Sequence, residues 1–301
     1  MNLIIRLQEK PFKAGDRETA HVSGSVVSMR HTEVLFLLLP WFTQLLQHSI
    51  GSEFRNTRYR SSYTENERTA MDTIMDINDY EAVDAMDGVK LREGDIAVSI
   101  RSEKSCFAQS CLWSRSVDGH VYIAYTLSPK YTEAERQIIK QGMHLIERDT
   151  CVRFVPRTHQ RDFLDIQPKT GCWSYLGSSG GRQTLSLQSP ECVSSGVVSH
   201  QLMHVLGFVH EQSRPDRDKY VTIMWSKIWK DHVRNFGKFK MNNMDMPYDY
   251  GSIMHFGKYA IYFVMVILPL CQKEAGNIKL GQRLGPSELD VMKINKLYKC
   301  I

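Results

Sequence analysis

Apolar residues recur along this chain in two periods, and the switch between them marks the elements. VYIAYTL, residues 121–127, crowds β-branched and aromatic residues into a short run and predicts a strand. TEAERQIIKQGMHLIERDT, residues 132–150, opens with Thr132 and, three positions on, Glu135, the two halves of a capping box. Ile138, Ile139, Met143 and Ile146 then return at helical spacing. Short strands are predicted at 152–155, 163–167 and 184–187, with the Gly/Ser-rich turn LGSSGGRQ before the last of them. A second helix is predicted over 195–206. Beyond 207 the period fades, which predicts mostly irregular structure closed by a helix near 286–298. No internal repeat is visible, and the pattern as a whole is α+β.

The N-terminal third reads differently. MRHTEVLFLLLPWFTQLL, residues 29–46, has a basic start followed by a short apolar run at 34–42. That is the shape of a secretory signal peptide, the other reading being a buried core helix. Met29 heads the stretch, so residues 1–28 are read as an upstream extension and 29–51 as the signal. Residues 52–101 are polar and partly acidic, without a strong period, as a pro-segment or linker would be. Arg101 in SIRSEKSC is a plausible processing site, leaving 102–301 as the working domain. The apolar run YAIYFVMVILPLC, 259–271, is too short to span a bilayer, as is every other run in the chain.

Composition adds the compartment. The chain has 301 residues, 42% hydrophobic and 24% charged, ordinary for a globular protein. Its net charge of +5 is spread out, with no Lys/Arg run that would suggest nucleic acid. All seven cysteines lie after residue 105: Cys106, Cys111, Cys151, Cys172, Cys192, Cys271 and Cys300. Together with a signal peptide they predict disulfides, with one cysteine left over and a connectivity that spacing does not decide.

The chemistry concentrates in SHQLMHVLGFVHEQ, 199–212. His200 and His204 are four apart, which puts both imidazoles on one helix face, one turn apart. Gly207 tolerates the left-handed conformation that ends a helix. That turn can swing His210 back as a third ligand. Three histidines with an open fourth position form a catalytic rather than a structural zinc site, holding one ion. In YDYGSIMHFG, 248–257, Met254 alone reads as a core methionine, and beside the histidine string it reads as a methionine turn like that described for metzincins.

The stretches CFAQSCLW, GHVYIAYTLSPKYT, TCVRFVPR, GGRQTLSL, HVLGFVHEQSRPDRDKYVTI, PYDYGSIMHFG and INKLYKC resemble the astacin metalloproteases, in particular the six-cysteine, hatching-enzyme-like branch. The resemblance covers about 102–301, with a poor stretch near 259–275. It implies a metzincin catalytic domain: a small twisted sheet, two long helices and an irregular C-terminal part. It implies the disulfides Cys106 with Cys111, Cys151 with Cys300 and Cys172 with Cys192, leaving Cys271 without a counterpart. It also implies that Asp95, in EGD, is the zinc ligand of a latent form. Glu211 becomes the residue that meets the new N-terminus after processing. GGRQTLSL becomes the edge strand that receives an extended peptide or protein substrate. A secreted, extracellular monomer with no nucleic-acid or membrane partner is expected.

Two residues depart from that family's pattern. Gln201 stands where the resemblance implies the glutamate general base, and a neutral amide does not accept a proton at ordinary pH. Phe256 stands where it implies a tyrosine that steadies the oxyanion, and it lacks the hydroxyl. General-base catalysis contributes about 10²–10⁴-fold and one oxyanion donor about 10²–10³-fold. The expectation is therefore an astacin-type peptidase by lineage with low or absent turnover. A zinc-binding pseudoprotease that holds peptides is the other outcome.

Overall fold

The computed structural model describes residues 69–80, 89–98, 111–228, 230–239, 243–257, 265–267 and 280–300, all within the compact unit Ser62–Ile301. The elements are α1 (Ala70–Tyr80), β1 (Lys90–Arg92), β2 (Ile96–Val98), β3 (Val121–Leu127), α2 (Glu133–Glu147), β4 (Val152–Pro156), β5 (Phe163–Gln167), β6 (Cys172–Tyr175), β7 (Arg182–Leu187), α3 (Ser195–Val205), β8 (Val221–Ile223), β9 (Met265–Ile267) and α4 (Glu288–Tyr298). Single 3₁₀ turns at Glu211–Ser213, Arg217–Lys219 and Trp225–Lys227, and a longer one at Lys230–Phe236, carry the irregular part after α3.

Seven strands form one mixed sheet in the order β1-β2-β6-β7-β5-β3-β4. β3 lies parallel to β4 and β5, and β5 parallel to β7. These central strands bury Val121, Ile123, Leu164, Ile166, Leu185 and Leu187. β6 then runs antiparallel to β7. α2 begins at the capping box expected from Thr132 and Glu135 and buries Ile139, Met143 and Ile146. α3 is buried at every position from 196 to 205, so its low amphipathicity reflects a helix enclosed on all sides. α4 starts at Ser287, whose hydroxyl accepts from the Asp290 backbone N–H while the Asp290 carboxylate takes the Ser287 N–H. Disulfides join Cys172 to Cys192 and Cys151 to Cys300, the latter closing 149 positions. Cys106 and Cys271 lie outside the described residues.

Two expectations need correction. GGRQTLSL is not an edge: β7 is enclosed between β5 and β6. The strand nearer the border is β6, and β2, from the segment preceding residue 102, pairs with it in parallel, Ile96 opposite Ser174 and Ala97 opposite Tyr175. That preceding segment is also not featureless. α1 puts Met71, Ile74, Met75 and Asn78 on one buried face at spacings of three, one and three. The stripe is short and set among acidic residues, so the period is faint in the sequence and is revealed only by the surface it meets. In the apolar run 259–271, Met265–Ile267 forms β9, antiparallel to β8.

Candidate metal centre

The end of α3 sets the geometry. The Gly207 N–H donates to the His204 carbonyl and the Phe208 N–H to the Met203 carbonyl, the paired bonds of a Schellman turn. Gly207 has φ +97°, so glycine meets the left-handed requirement without strain. Trp113 Nε1 donates to the Val205 carbonyl at 2.9 Å and the Tyr298 hydroxyl to that of Leu206 at 3.0 Å. These bonds satisfy the last carbonyls of a helix buried at both faces. The same turn returns the Phe208 carbonyl to His204 Nδ1, 2.8 Å away, and brings His210 around as the residue opening the Glu211–Ser213 turn.

The three imidazoles are fully buried, with ring centroids 4.8, 4.8 and 5.4 Å apart. Each Nδ1 has its own acceptor. His200 Nδ1 donates to the Ile253 carbonyl at 2.9 Å, His204 Nδ1 to Phe208, and His210 Nδ1 to Glu93 Oε2 at 2.8 Å. With Nδ1 as donor, a neutral ring presents its Nε2 lone pair to the centre. Burial holds His200 and His210 well below the usual histidine range, which keeps these rings neutral.

All three Nε2 atoms face Asp95, at the tip of the β1–β2 hairpin. His200 Nε2 lies 2.7 Å from Asp95 Oδ2; His204 and His210 Nε2 lie 3.2 and 3.3 Å from Oδ1. Asp95 is fully buried, and burial opposes its charge. Asp95 Oδ1, His204 Nε2 and His210 Nε2 are buried without a hydrogen-bond partner. Lone pairs thus converge from four sides, and a cation reconciles them. The four candidate ligand atoms lie within 4.8 Å of one another and are imidazole nitrogens and a carboxylate oxygen, donor types that zinc takes. The donor set fits a zinc ion.

A second layer of residues orients these groups, and sequence reading had not singled most of it out. Glu93 is fully buried, accepts from His210 Nδ1 and from the Ser213 hydroxyl, and takes the Asn235 side-chain carbonyl on its own N–H at 3.0 Å. Burial pushes its carboxyl up to about 8. The signal available was its place beside Gly94 and Asp95 in EGD. Asp290 accepts from the Ile253 N–H at 2.8 Å and the Ser252 hydroxyl at 2.6 Å, so α4 pins the turn whose carbonyl orients His200. Met254 is buried in that turn, and its carbonyl accepts from the Glu211 N–H. The Glu211 carboxylate takes Lys293 Nζ at 2.6 Å, Arg214 Nη1 at 3.0 Å and the Asp249 N–H at 2.9 Å. Phe256 is fully buried, its ring 4.5 Å from that of His210 and 5.8 Å from that of Phe236. Gln201 is fully buried, with Nε2 2.9 Å from Asp95 Oδ2.

The histidine string, the turn beneath it and this fold meet in one protein family. The profile of the peptidase family described as Astacin matches residues 112–299. The chain belongs to the astacin family. Among its relatives, the astacin-like metalloendopeptidase of Gallus gallus is 44% identical over 211 residues, which are 70% of this chain and 51% of that protein. The chain therefore spans about half the length of the chicken relative. High choriolytic enzyme 1 of Oryzias latipes is 42% identical over 211 residues, covering 70% of this chain and 78% of that protein. The solved structure of that enzyme, a hatching enzyme zinc-protease, superposes with a TM-score of 0.61 at 41% identity, covering 65% of this chain and 98% of the other. The astacin fold here is the mixed sheet with α2 and α3 behind it. Astacins are zinc-dependent, and the His/Asp group is placed to hold such an ion.

Proposed function

We propose that this astacin is a secreted zinc-binding protein held in a latent form, with low or absent peptide-bond turnover. His200, His204 and His210 hold a single Zn²⁺, and Asp95 fills the vertex that substrate would need. Residues 1–28 are an upstream extension, 29–51 a signal peptide, 52–101 a pro-segment and 102–301 the metalloprotease domain. Cys106 pairs with Cys111, and Cys271 stays unpaired. After processing, Glu211 would receive the new N-terminus, sharing a carboxylate already engaged by Lys293 and Arg214.

When bound, zinc supplies Lewis-acid activation of a water and of a substrate carbonyl. The chain's own residues do the rest. The Nδ1 bonds fix the rings, and the buried surroundings exclude bulk water. β6 offers backbone groups to an extended peptide once β2 leaves it. The observation that carries the reading is the Gln201 side chain, buried beside the four candidate ligands with its N–H groups turned toward Asp95 and the Cys172 carbonyl. A general base must accept a proton at this place, and an amide does not. Phe256 packs the ring of the family's tyrosine position against His210 without a hydroxyl to aim at an oxyanion. The substrates of the lineage are extracellular or egg-envelope proteins, as the hatching-enzyme relatives suggest. The second reading, a weakened but working peptidase, is favoured by the intact histidine set.

The test measures zinc by atomic absorption in the full chain, and casein hydrolysis after tryptic processing, beside the Gln201→Glu/Phe256→Tyr double variant. We expect about one zinc per chain in both and parent activity at least ~10²-fold below the double variant. Equal activities would defeat the low-turnover reading. Absence of zinc from both would defeat the ligand assignment.

A further inference from the structure

We propose that Gln201 is a positioning residue of the latent state: its amide fastens the pro-segment over the histidines, so the substitution that removes the general base also strengthens the latch. The inference rests on the latent-form reading only in taking the Asp95 hairpin as the pro-segment.

The geometry around the amide is one of donors to acceptors. Gln201 Nε2 lies 2.9 Å from Asp95 Oδ2 and 3.4 Å from the Cys172 carbonyl, while its Oε1 has no partner. Both neighbours can only accept as placed, so the nitrogen must face them. The Cys172 carbonyl is itself a hub. It also accepts from Asn78 Nδ2 at 2.8 Å, and the Cys172 N–H donates to Asn78 Oδ1 at 2.8 Å. Asn78 thereby engages β6 through both backbone groups, as a neighbouring strand would, and its Nδ2 reaches the Gly94 carbonyl at 2.8 Å as well. Gln201 closes this circuit from α3, linking the hairpin tip to β6. Around it, the Ser174 N–H donates to the Asp95 carbonyl at 3.1 Å.

A glutamate carboxylate in the same place would present only lone pairs to Asp95 Oδ2 and to Cys172. It would also set two like charges against each other in a buried site. Catalysis requires an acceptor at 201, whereas the bond to Asp95 takes a donor; glutamine serves the second. Removing a hydrogen bond to a charged partner and leaving the partner buried shifts an opening equilibrium by at least about tenfold.

Hydrogen exchange of the full-length chain tests this, comparing the parent with Gln201→Glu and Gln201→Met, with zinc assayed on the same samples. We expect the amides of Ile96, Ala97 and Ser174 to exchange at least about tenfold faster in both variants, with those of β3 and β5 unchanged. Unchanged exchange at the hairpin would overturn the proposal, as would an equal rise throughout α3, the mark of a merely structural role. If the glutamate variant does not fold, the methionine variant carries the comparison. Zinc missing from the parent counts against the metal reading alone, because the Gln201–Asp95 bond joins two side chains of this protein and is read with or without the ion.

Discussion

At the scale of single residues, the site depends on groups whose roles come from what lies next to them. His200 and His204 could be placed from spacing, since i and i+4 share a face of any helix. Gly94 could not. It has φ +86°, and a Cβ there would overlap the thioether of Met75 on α1. Gly94→Ala is expected to lower stability by about 1–3 kcal/mol, read as a lower urea midpoint. An unchanged midpoint would mean that Met75 moves aside at little cost. The reason for this glycine lies on a helix far upstream, beyond any local pattern. Glu93 was hidden for a similar cause: a lone acid in a polar stretch looks solvated until the fold buries it against His210.

At the scale of elements, period and capping located α3, α4 and most of the central strands within a residue or two, and α2 within three. Those elements carry either a clean apolar stripe or a cap that acts locally. The expected cost of Thr132→Ala is about 1 kcal/mol, the loss of one exposed N-cap. Asp290→Ala should cost more, about 2–4 kcal/mol, because the same carboxylate caps α4 and satisfies the buried Ser252 and Ile253 groups. Parallel thermal melts of the two variants decide it, and equal losses would show that Asp290 serves only as a cap. α1, β1 and β2 escaped detection because their stripes are two or three side chains long. β6 was missed, and β7 misread as an edge, because strand order is not a local property.

At the scale of the whole molecule, the parts are joined by long-range ties. Cys151, just before β4, is bridged to Cys300 after α4, fastening the C-terminal helix to the β4 end of the sheet. Replacing this pair by serine is expected to destabilise the fold by about 3–5 kcal/mol, more than replacing Cys172 and Cys192, which close a span of 20. Chemical denaturation of both double-serine variants under identical conditions would show the order, and a reversed order would place the constraint in native contacts rather than in the unfolded chain. α1 packs into the main core through Met71 and Ile74, while the β1–β2 hairpin joins smaller clusters, Ala97 with Trp173 and Ile96 with Val209 and Phe239. Among the described residues no helix is long and apolar enough to cross a membrane.

The family, the α+β class and the histidine string were all readable from residue identities. Each is a matter of chemical type at a fixed local spacing, and spacing along a helix or turn is a property of the chain itself. Which strand borders the sheet, which acid orients His210, and where the Gln201 amide points were settled only by tertiary structure. Those depend on residues far apart in sequence being buried together, where every unpaired donor and acceptor must find a partner.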